Sequence, residues 1–479
     1  MAVSREIEAM RLASASALQT PNRPWLSRIA GTLAVVLALA FHAALLAQDA
    51  PRPELESKGA SATQDFGRLF DAVVETTAKN FWDKERLAAL GWKERAAEVR
   101  QSVVEADNLD AAANRINALL DELKTSHTAL LTPDDVNYYI LMAVFRGASM
   151  PQEEFDDRFW GGGVTYAGIG HFSVRIEGCD FVDALLEGSP AARAGLKVGD
   201  ELLSVDGISH HPIRSFRGKV GHEVAVAVRR TEGGPTETIR IKVMSIAPLH
   251  AFREATGASA RVIDRDGRRI GYVHVWASVG EDSATALQNA LSSLGINERA
   301  SRAKGDKDRS PQLDGLIVDM RGRIGGTAST ARRYLDLLDP RGPLLGSRDK
   351  SQPSRAATAL RGRTAVLINH HTRSTAELFV HAYKRERQGP LIGTRTAGAV
   401  SAASAFAMPG GNLLYVAVSG LEIDGEVLEG PGVAPDIEMA RPIPYAQGTD
   451  PVLDRAVDVL VGSAKARGPI APDRKGASP

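Results

Sequence analysis

TAVLINHHTRSTAE, residues 364–377, decides how this chain is read. Val366, Leu367 and Ile368 form an apolar run that reads as a buried strand. A polar turn follows, and Leu378, Phe379, Ala382 and Tyr383 then recur at helical spacing up to the basic end KRER. Strand, turn and helix in that order set Ser374 at the start of the helix. There the first backbone N–H groups have no partner inside the helix, so the Thr375 amide is placed to stabilise an oxyanion on whatever Ser374 attacks. The same Ser-x-x-Glu also reads as a capping box, with Glu377 reaching back to the Ser374 backbone. The local pattern fits a nucleophile and a cap alike.

Two distant stretches bear on that choice. ELKTSHTALLTP (122–133) closes a helical region and offers Ser126 beside His127. A histidine is the usual general base for a serine, and a hydroxyl or carboxylate must fix its tautomer. EVLEGPGVAPDI (426–437) places Glu429 before a Gly/Pro turn, where it is available as the orienting carboxylate. Taken singly, His127 reads as a surface or packed histidine and Glu429 as a solvated turn residue.

Read in order, these segments resemble the S41 peptidase family of tail-specific, C-terminal-processing and tricorn-type proteases. The likeness covers most of the chain after about residue 64. GLIVDMRGRIGG (315–326) is similar to the family's strand followed by Asp-Leu-Arg-x-Asn-x-Gly-Gly. RSTAELF (373–379) is similar to its nucleophile motif, and LIGTRTAGAVS (391–401) to the strand and turn that follow. The departures set the subtype. Where the processing branch carries a lysine base this chain has Ala399, so the resemblance implies the tricorn-type set. In that set Ser374 is the nucleophile, His127 the general base, Ser126 a relay hydroxyl and Glu429 the orienting carboxylate. The implied oxyanion donors are the N–H groups of Thr375 and of Gly325 or Gly326. Arg323 stands where the family has asparagine. The resemblance also implies a crotonase-like mixed α/β core.

A second module lies inside the first. EGSPAARAGLKVGDELLSVDGISHHP (187–212) resembles a circularly permuted bacterial PDZ domain, with a helix at Pro190–Ala194, turns at Gly195-Leu196 and Gly199-Asp200, and the alternating strand ELLSVDG. Upstream, Tyr166, Ala167, Gly168, Ile169 and Gly170 resemble the loop whose amides capture a peptide carboxylate. Downstream, FRGKVGHEVAVAVRR (216–230) reads as a short helix and a strand alternating Val224, Val226 and Val228. Such a module either recruits an extended peptide as an added strand or serves as a rigid lid.

The whole chain has 479 residues, 43% of them hydrophobic, which allows about three domains with ordinary cores. Lys+Arg and Asp+Glu both number 58, so charge gives no reason to expect a nucleic-acid partner. The basic runs at 299–312 and 347–355 read as solvated loops. Arg5, Arg11, Arg23 and Arg28 precede IAGTLAVVLALAFHAALLA (29–47), the pattern of an export signal or an uncleaved anchor. Cys179 is the only cysteine, which excludes an intramolecular disulfide, and it reads as a small buried residue of the PDZ sheet. His210-His211 and His370-His371 read as neighbours facing opposite sides of a strand, without the further ligands a zinc site needs.

The expected organisation is a signal peptide or anchor at 1–48, a linker at 49–63, a helical region at 64–140, a PDZ domain at 155–247, an α/β peptidase core at 260–462 and a disordered tail at 463–479. The helical region comprises FGRLFDAVVETTAKNFW, KERAAEVRQSVV and DAAANRINALLDELK, the last capped by Asn108 or Asp110. The expected function is that of an exported, periplasmic or membrane-anchored serine endopeptidase acting on peptides or unfolded proteins, with no cofactor and no metal. Its partners are peptide substrates, engaged through their C-termini. Two other readings stay open: a peptide-binding protein on the same scaffold with weak or lost catalysis, and a hydrolase of non-peptide esters or amides.

Overall fold

The computed structural model describes residues 65–145, 163–296, 313–338 and 363–466, except Arg323 and Asp424. The expectations for 1–48, 49–63, the two basic runs, Arg323 and the end of the tail lie outside these residues. Among the described residues no helix is long and apolar enough to cross a membrane. The chain divides into two compact units, one comprising residues to Thr165 with Gly398–Gly432, the other Tyr166–Ala397 with Val433 onward.

In the first unit, helices Phe66–Asn80, Lys84–Leu90, Trp92–Val104 and Leu109–Asp121 follow one another. Asp65, Asp83 and Asn108 cap three of them, each accepting from a backbone N–H three residues on, so the cap of the last helix is Asn108 and not Asp110. The helices bury Leu69, Phe70, Val73, Ile116, Leu119 and Leu120 against Leu130, Leu414 and Val416. Those last three belong to an antiparallel sheet ordered Ala129–Leu131, Asn412–Ser419, Ala402–Met408, in which Ala129 faces Tyr415. Residues 398–432, which the sequence reading assigned to the peptidase core, thus fold with the helices.

The second unit holds a six-stranded sheet ordered Arg261–Arg265, Arg268–His274, Gly315–Asp319, Thr364–Ile368, Leu391–Gly393, Ile437–Glu438. All pairs are parallel except the first, an antiparallel hairpin. Every residue of Gly315–Asp319 and Thr364–Ile368 is buried, which is why both read as unbroken apolar runs. The helix Pro451–Ala466 lays Val452, Ala456, Val457 and Leu460 on Ile270, Ile317, Ala365 and Leu367. This helix runs four residues into the segment expected to be a disordered tail.

The same unit contains a sheet ordered His171–Ile176, Cys179–Leu185, Glu201–Val205, Glu223–Arg229, Thr236–Lys242. Val224, Val226 and Val228 all point into its core, as their alternation requires. Three details differ from the sequence reading. Cys179 is exposed, because it leaves the Glu177-Gly178 turn of a hairpin tip rather than the sheet interior. Residues 212–218 form successive turns, not a helix. Tyr166–Gly168 is a strand paired with Met244–Ile246, so only Ile169 and Gly170 of the five expected peptide-binding residues remain outside a ladder. Gly199, at φ +90°, packs so closely on residues 443–446 that a Cβ would lie 2.3 Å from the Ala446 nitrogen.

Candidate active site

The strand Thr364–Ile368 ends in a turn closed by Asn369 and Thr372, whose Oγ1 accepts from the Asn369 N–H at 3.1 Å and donates to the Met320 carbonyl at 2.8 Å. The His370 and His371 rings sit on this turn with centroids 3.9 Å apart, not on opposite faces of a strand. The chain then reverses at Ser374, with φ +55° and ψ −127°, and enters the helix Thr375–Arg385. A non-glycine residue in that conformation is strained, and strain of this kind collects where a side chain is held up for chemistry. An ordinary N-cap is extended. The half of the capping box that Glu377 supplies is present, its Oε2 accepting from the Ser374 N–H at 3.3 Å.

Glu377 does more than cap. It is fully buried, and its Oε1 accepts from Thr396 Oγ1 at 2.6 Å, while that hydroxyl accepts from the Val433 N–H at 2.7 Å. The Ala397 N–H donates to the Thr372 carbonyl at 3.0 Å. The Ser374 turn is thereby tied to the segment that follows Leu391–Gly393.

Gly325 lies against Ser374: a Cβ on it would stand 2.3 Å from Ser374 Cβ, 2.5 Å from its Oγ and 2.9 Å from the Thr375 nitrogen. Only glycine lets that backbone come so near. Gly326, on the strand Ile324–Gly326, packs instead on the Ser278 carbonyl, 1.8 Å from where its Cβ would be. Of the expected oxyanion donors, Thr375 and Gly325 flank the nucleophile, and Gly326 holds the Gly325 strand in place. The strand before them is anchored by Asp319, whose carboxylate accepts from Arg321 Nη2 at 2.6 Å and Nε at 2.9 Å and from the Tyr272 hydroxyl at 2.9 Å. Burial opposes the charge on Asp319, but Arg321 outweighs it and holds the carboxyl far below the usual range.

The first unit brings together Ser126, His127 and Glu429, the last of them 303 positions from Ser126. Ser126 N–H donates to Glu429 Oε1 at 2.7 Å and its hydroxyl to Oε2 at 3.1 Å, while Ser126 Oγ and His127 Nδ1 are 2.6 Å apart. Val400 and Ser401 N–H groups each donate to Oε2 at 2.9 Å. Burial works to raise the Glu429 pKa, and the hydrogen bonds from Ser126, Ser401 and Val400 outweigh it, so the carboxyl titrates below its ordinary value. An ionised carboxylate only accepts. The single Ser126 hydroxyl proton therefore goes to Glu429, Oγ accepts from Nδ1–H, and Nε2 is left with its lone pair. His127 itself is buried, has φ +58° and stands 5.3 Å from the Tyr415 ring.

Ala399 is buried beside the Val400 and Ser401 amides that hold Glu429. Thr396, Val400, Ser401 and Tyr415 escaped the sequence reading. Main-chain donors carry no residue signature, Thr396 lies inside the quoted 391–401 motif without any sign of its bond to Glu377, and Tyr415 stands in no recognisable spacing. Among the described residues no group of three or more His, Cys, Asp or Glu is placed to hold a metal ion.

Comparison with known proteins gives two family matches: residues 269–439 match peptidase family S41 and residues 181–230 match the PDZ domain. The carboxy-terminal processing protease CtpA of Bacillus subtilis is 26% identical over 301 residues, covering 59% of this chain and 58% of that protein. Tricorn protease homolog 1 of Streptomyces coelicolor is 27% identical over 299 residues, covering 57% of this chain and 25% of that protein. The chain thus spans between a quarter and three fifths of these relatives' length. A solved photosystem II D1 C-terminal processing protease superposes with a TM-score of 0.43 at 19% identity, covering 82% of this chain and 99% of that one.

Proposed function

Because the chain carries a peptidase family S41 domain and a PDZ domain, we propose that it is a serine endopeptidase in which Ser374 is the nucleophile and His127 the general base. One observation carries the reading: the Ser126 hydroxyl donates to the Glu429 carboxylate, which leaves His127 Nε2 as the basic nitrogen. In this mechanism Nε2 takes the Ser374 proton as Oγ attacks the scissile carbonyl. Ser126 and Glu429 stabilise the imidazolium that forms, and His127 then returns the proton to the leaving amine. The developing oxyanion is met by the Thr375 N–H at the helix start and by the backbone at Gly325. A water molecule activated in the same way releases the acyl group.

The substrates proposed are peptides or unfolded proteins, selected through free C-termini at Ile169 and Gly170 of the PDZ domain. Export through residues 1–48, with 29–47 as cleaved signal or retained anchor, belongs to the same proposal. Turnover of an unfolded protein substrate by the wild type, absent in Ser374→Ala and in His127→Ala with both variants folded, is the expected result. Undiminished turnover in either variant would overturn the assignment. A peptide with a free apolar C-terminus should also bind more tightly than its amide, and equal binding would leave the PDZ domain as a lid.

A further inference from the structure

The parallel strands Arg268–His274, Gly315–Asp319 and Thr364–Ile368 end side by side, with His274 opposite Asp319 and Asp319 opposite Leu367. Beyond those carboxyl ends, and beneath PDZ residues Asp183, Leu185 and Glu187, lies a cleft of about 460 Å³. That is where open α/β sheets hold ligands, and the volume suits a small molecule. None of the residues given a chemical role above needs this space.

The cleft has a distinct chemistry. Glu187 accepts from Trp276 Nε1 at 2.6 Å through one oxygen and faces His274 Nδ1 at 2.8 Å with the other. Nδ1 is thus the donor face of the imidazole, and Nε2 is its open position. His274 Nε2 is buried, lines the cleft and has no hydrogen-bond partner. A buried polar nitrogen in this position is open to a water molecule or to a ligand that displaces it. The acids in the wall are already engaged: Asp319 accepts from Arg321 and Tyr272, and Asp450 accepts from both Arg321 terminal nitrogens and from the Leu453 N–H. Of the cations, Arg321 is spent on these acids, while Arg441 and Arg261 are less engaged. Arg441 reaches the Thr449 carbonyl only at 3.4 Å and Asp450 at 3.8 Å, and Arg261 lies over the Tyr272 ring at 3.9 Å while donating to the Ser259 carbonyl at 3.3 Å through Nη1 alone. Unspent capacity in the wall is therefore mostly donor capacity, and the rest of the lining, including Leu185, Val198, Met439 and Ile443, is apolar.

The geometry points to a binding site for a small carboxylic acid with an apolar side group, its carboxyl on His274 Nε2 and its apolar part against Leu185, Val198 and Ile443. Whether the proton starts on the ring or arrives with the acid, the pair formed is imidazolium and carboxylate. Burial resists charge on His274, but Glu187 and Asp319 outweigh it, and against the opposing Arg321 they leave the ring more basic than an ordinary histidine. This site uses neither Ser374 nor His127, so it stands or falls apart from the peptidase reading.

The test is a titration of the full chain, carbon-13 labelled at its eleven histidines, with N-acetyl-leucine and, separately, with N-acetyl-leucinamide. The His274 ring signal is assigned through its contact with Trp276, whose ring centroid lies 4.2 Å away. The expected result is a saturable shift of that signal with the acid, binding at least tenfold weaker with the amide, and at least tenfold weaker binding of the acid to His274→Gln by calorimetry. The wild-type titration decides the matter even if that variant fails to fold. A His274 signal that stays still, or that moves equally with acid and amide, overturns the proposal. So does a response confined to His171, which would place the acid at the neighbouring Ile169-Gly170 segment.

Discussion

Replacing Ser126 by alanine removes one hydroxyl and severs the path between Glu429 and His127 without touching the main-chain bond from the Ser126 N–H to Glu429 Oε1 at 2.7 Å. Glu429 also keeps the Val400 and Ser401 amides, so the fold around it should persist. What is lost is the 2.6 Å contact to Nδ1 and the 3.1 Å bond to Oε2. In the transition state Nδ1–H belongs to an imidazolium, and a hydrogen bond to a charged group contributes about 1.5–3 kcal/mol. At about 1.36 kcal/mol per tenfold in rate, the variant should react between about 10 and 150 times more slowly. The assay is the second-order rate of labelling by a fluorophosphonate, followed beside kcat/KM on a peptide, with circular dichroism to verify folding. A rate within threefold of wild type would show that the relay carries no catalytic load. A loss as complete as that of Ser374→Ala would show that Ser126 does more than relay.

Gly325→Ala should cut labelling at least hundredfold in a folded protein, since the new Cβ would stand 2.5 Å from Ser374 Oγ; unchanged labelling would mean that Gly325 does not approach the nucleophile as described. Asp319→Ala leaves the buried Arg321 short of a partner and should cost about 3–5 kcal/mol in denaturant unfolding; a change under 1 kcal/mol would contradict the buried pair. Two groups give tests of pH in separate windows, both losing stability toward acid. Glu429 titrates low in the fold, so the stability it adds is present above its unfolded value of about 4.3 and lost as pH falls through the lower folded value. His171 is held well below an ordinary histidine by burial and by the charge on His210, so the unfolded chain takes up protons first and stability declines as pH drops below about 6.5. Urea unfolding across pH should show both declines, the lower one missing in Glu429→Gln and the upper one in His171→Gln.

Some of this was legible in the sequence because it is local. The buried run 364–368, the turn and the amphipathic helix place Ser374 by periodicity alone, and the alternating valines at 224, 226 and 228 fix a half-buried strand. The proximity of Ser126 to Glu429 follows from no periodicity. It could be read only as motifs in a familiar order. Glu377 was visible as a cap but not as a buried acid joined to Thr396, since a hydrogen bond across 19 positions leaves no spacing to detect. The same holds for Glu187 with His274, 87 positions apart. Cys179 was misread because residue type favours burial while its place at a hairpin tip decides exposure. Residues 398–432 fall within the S41 match, yet the strands Ala402–Met408 and Asn412–Ser419 pack with the helices through Leu414 and Val416, a partnership that no local pattern announces.

In the proposed mechanism His127, held by Ser126 and Glu429, activates Ser374. The most direct measurement is the site and rate of fluorophosphonate attachment, mapped by mass spectrometry of the digested protein. The expected result is a single adduct on Ser374, formed in wild type and slowed at least about a thousandfold in His127→Ala. An adduct on another serine, or one on Ser374 that forms at the wild-type rate in His127→Ala, would contradict it.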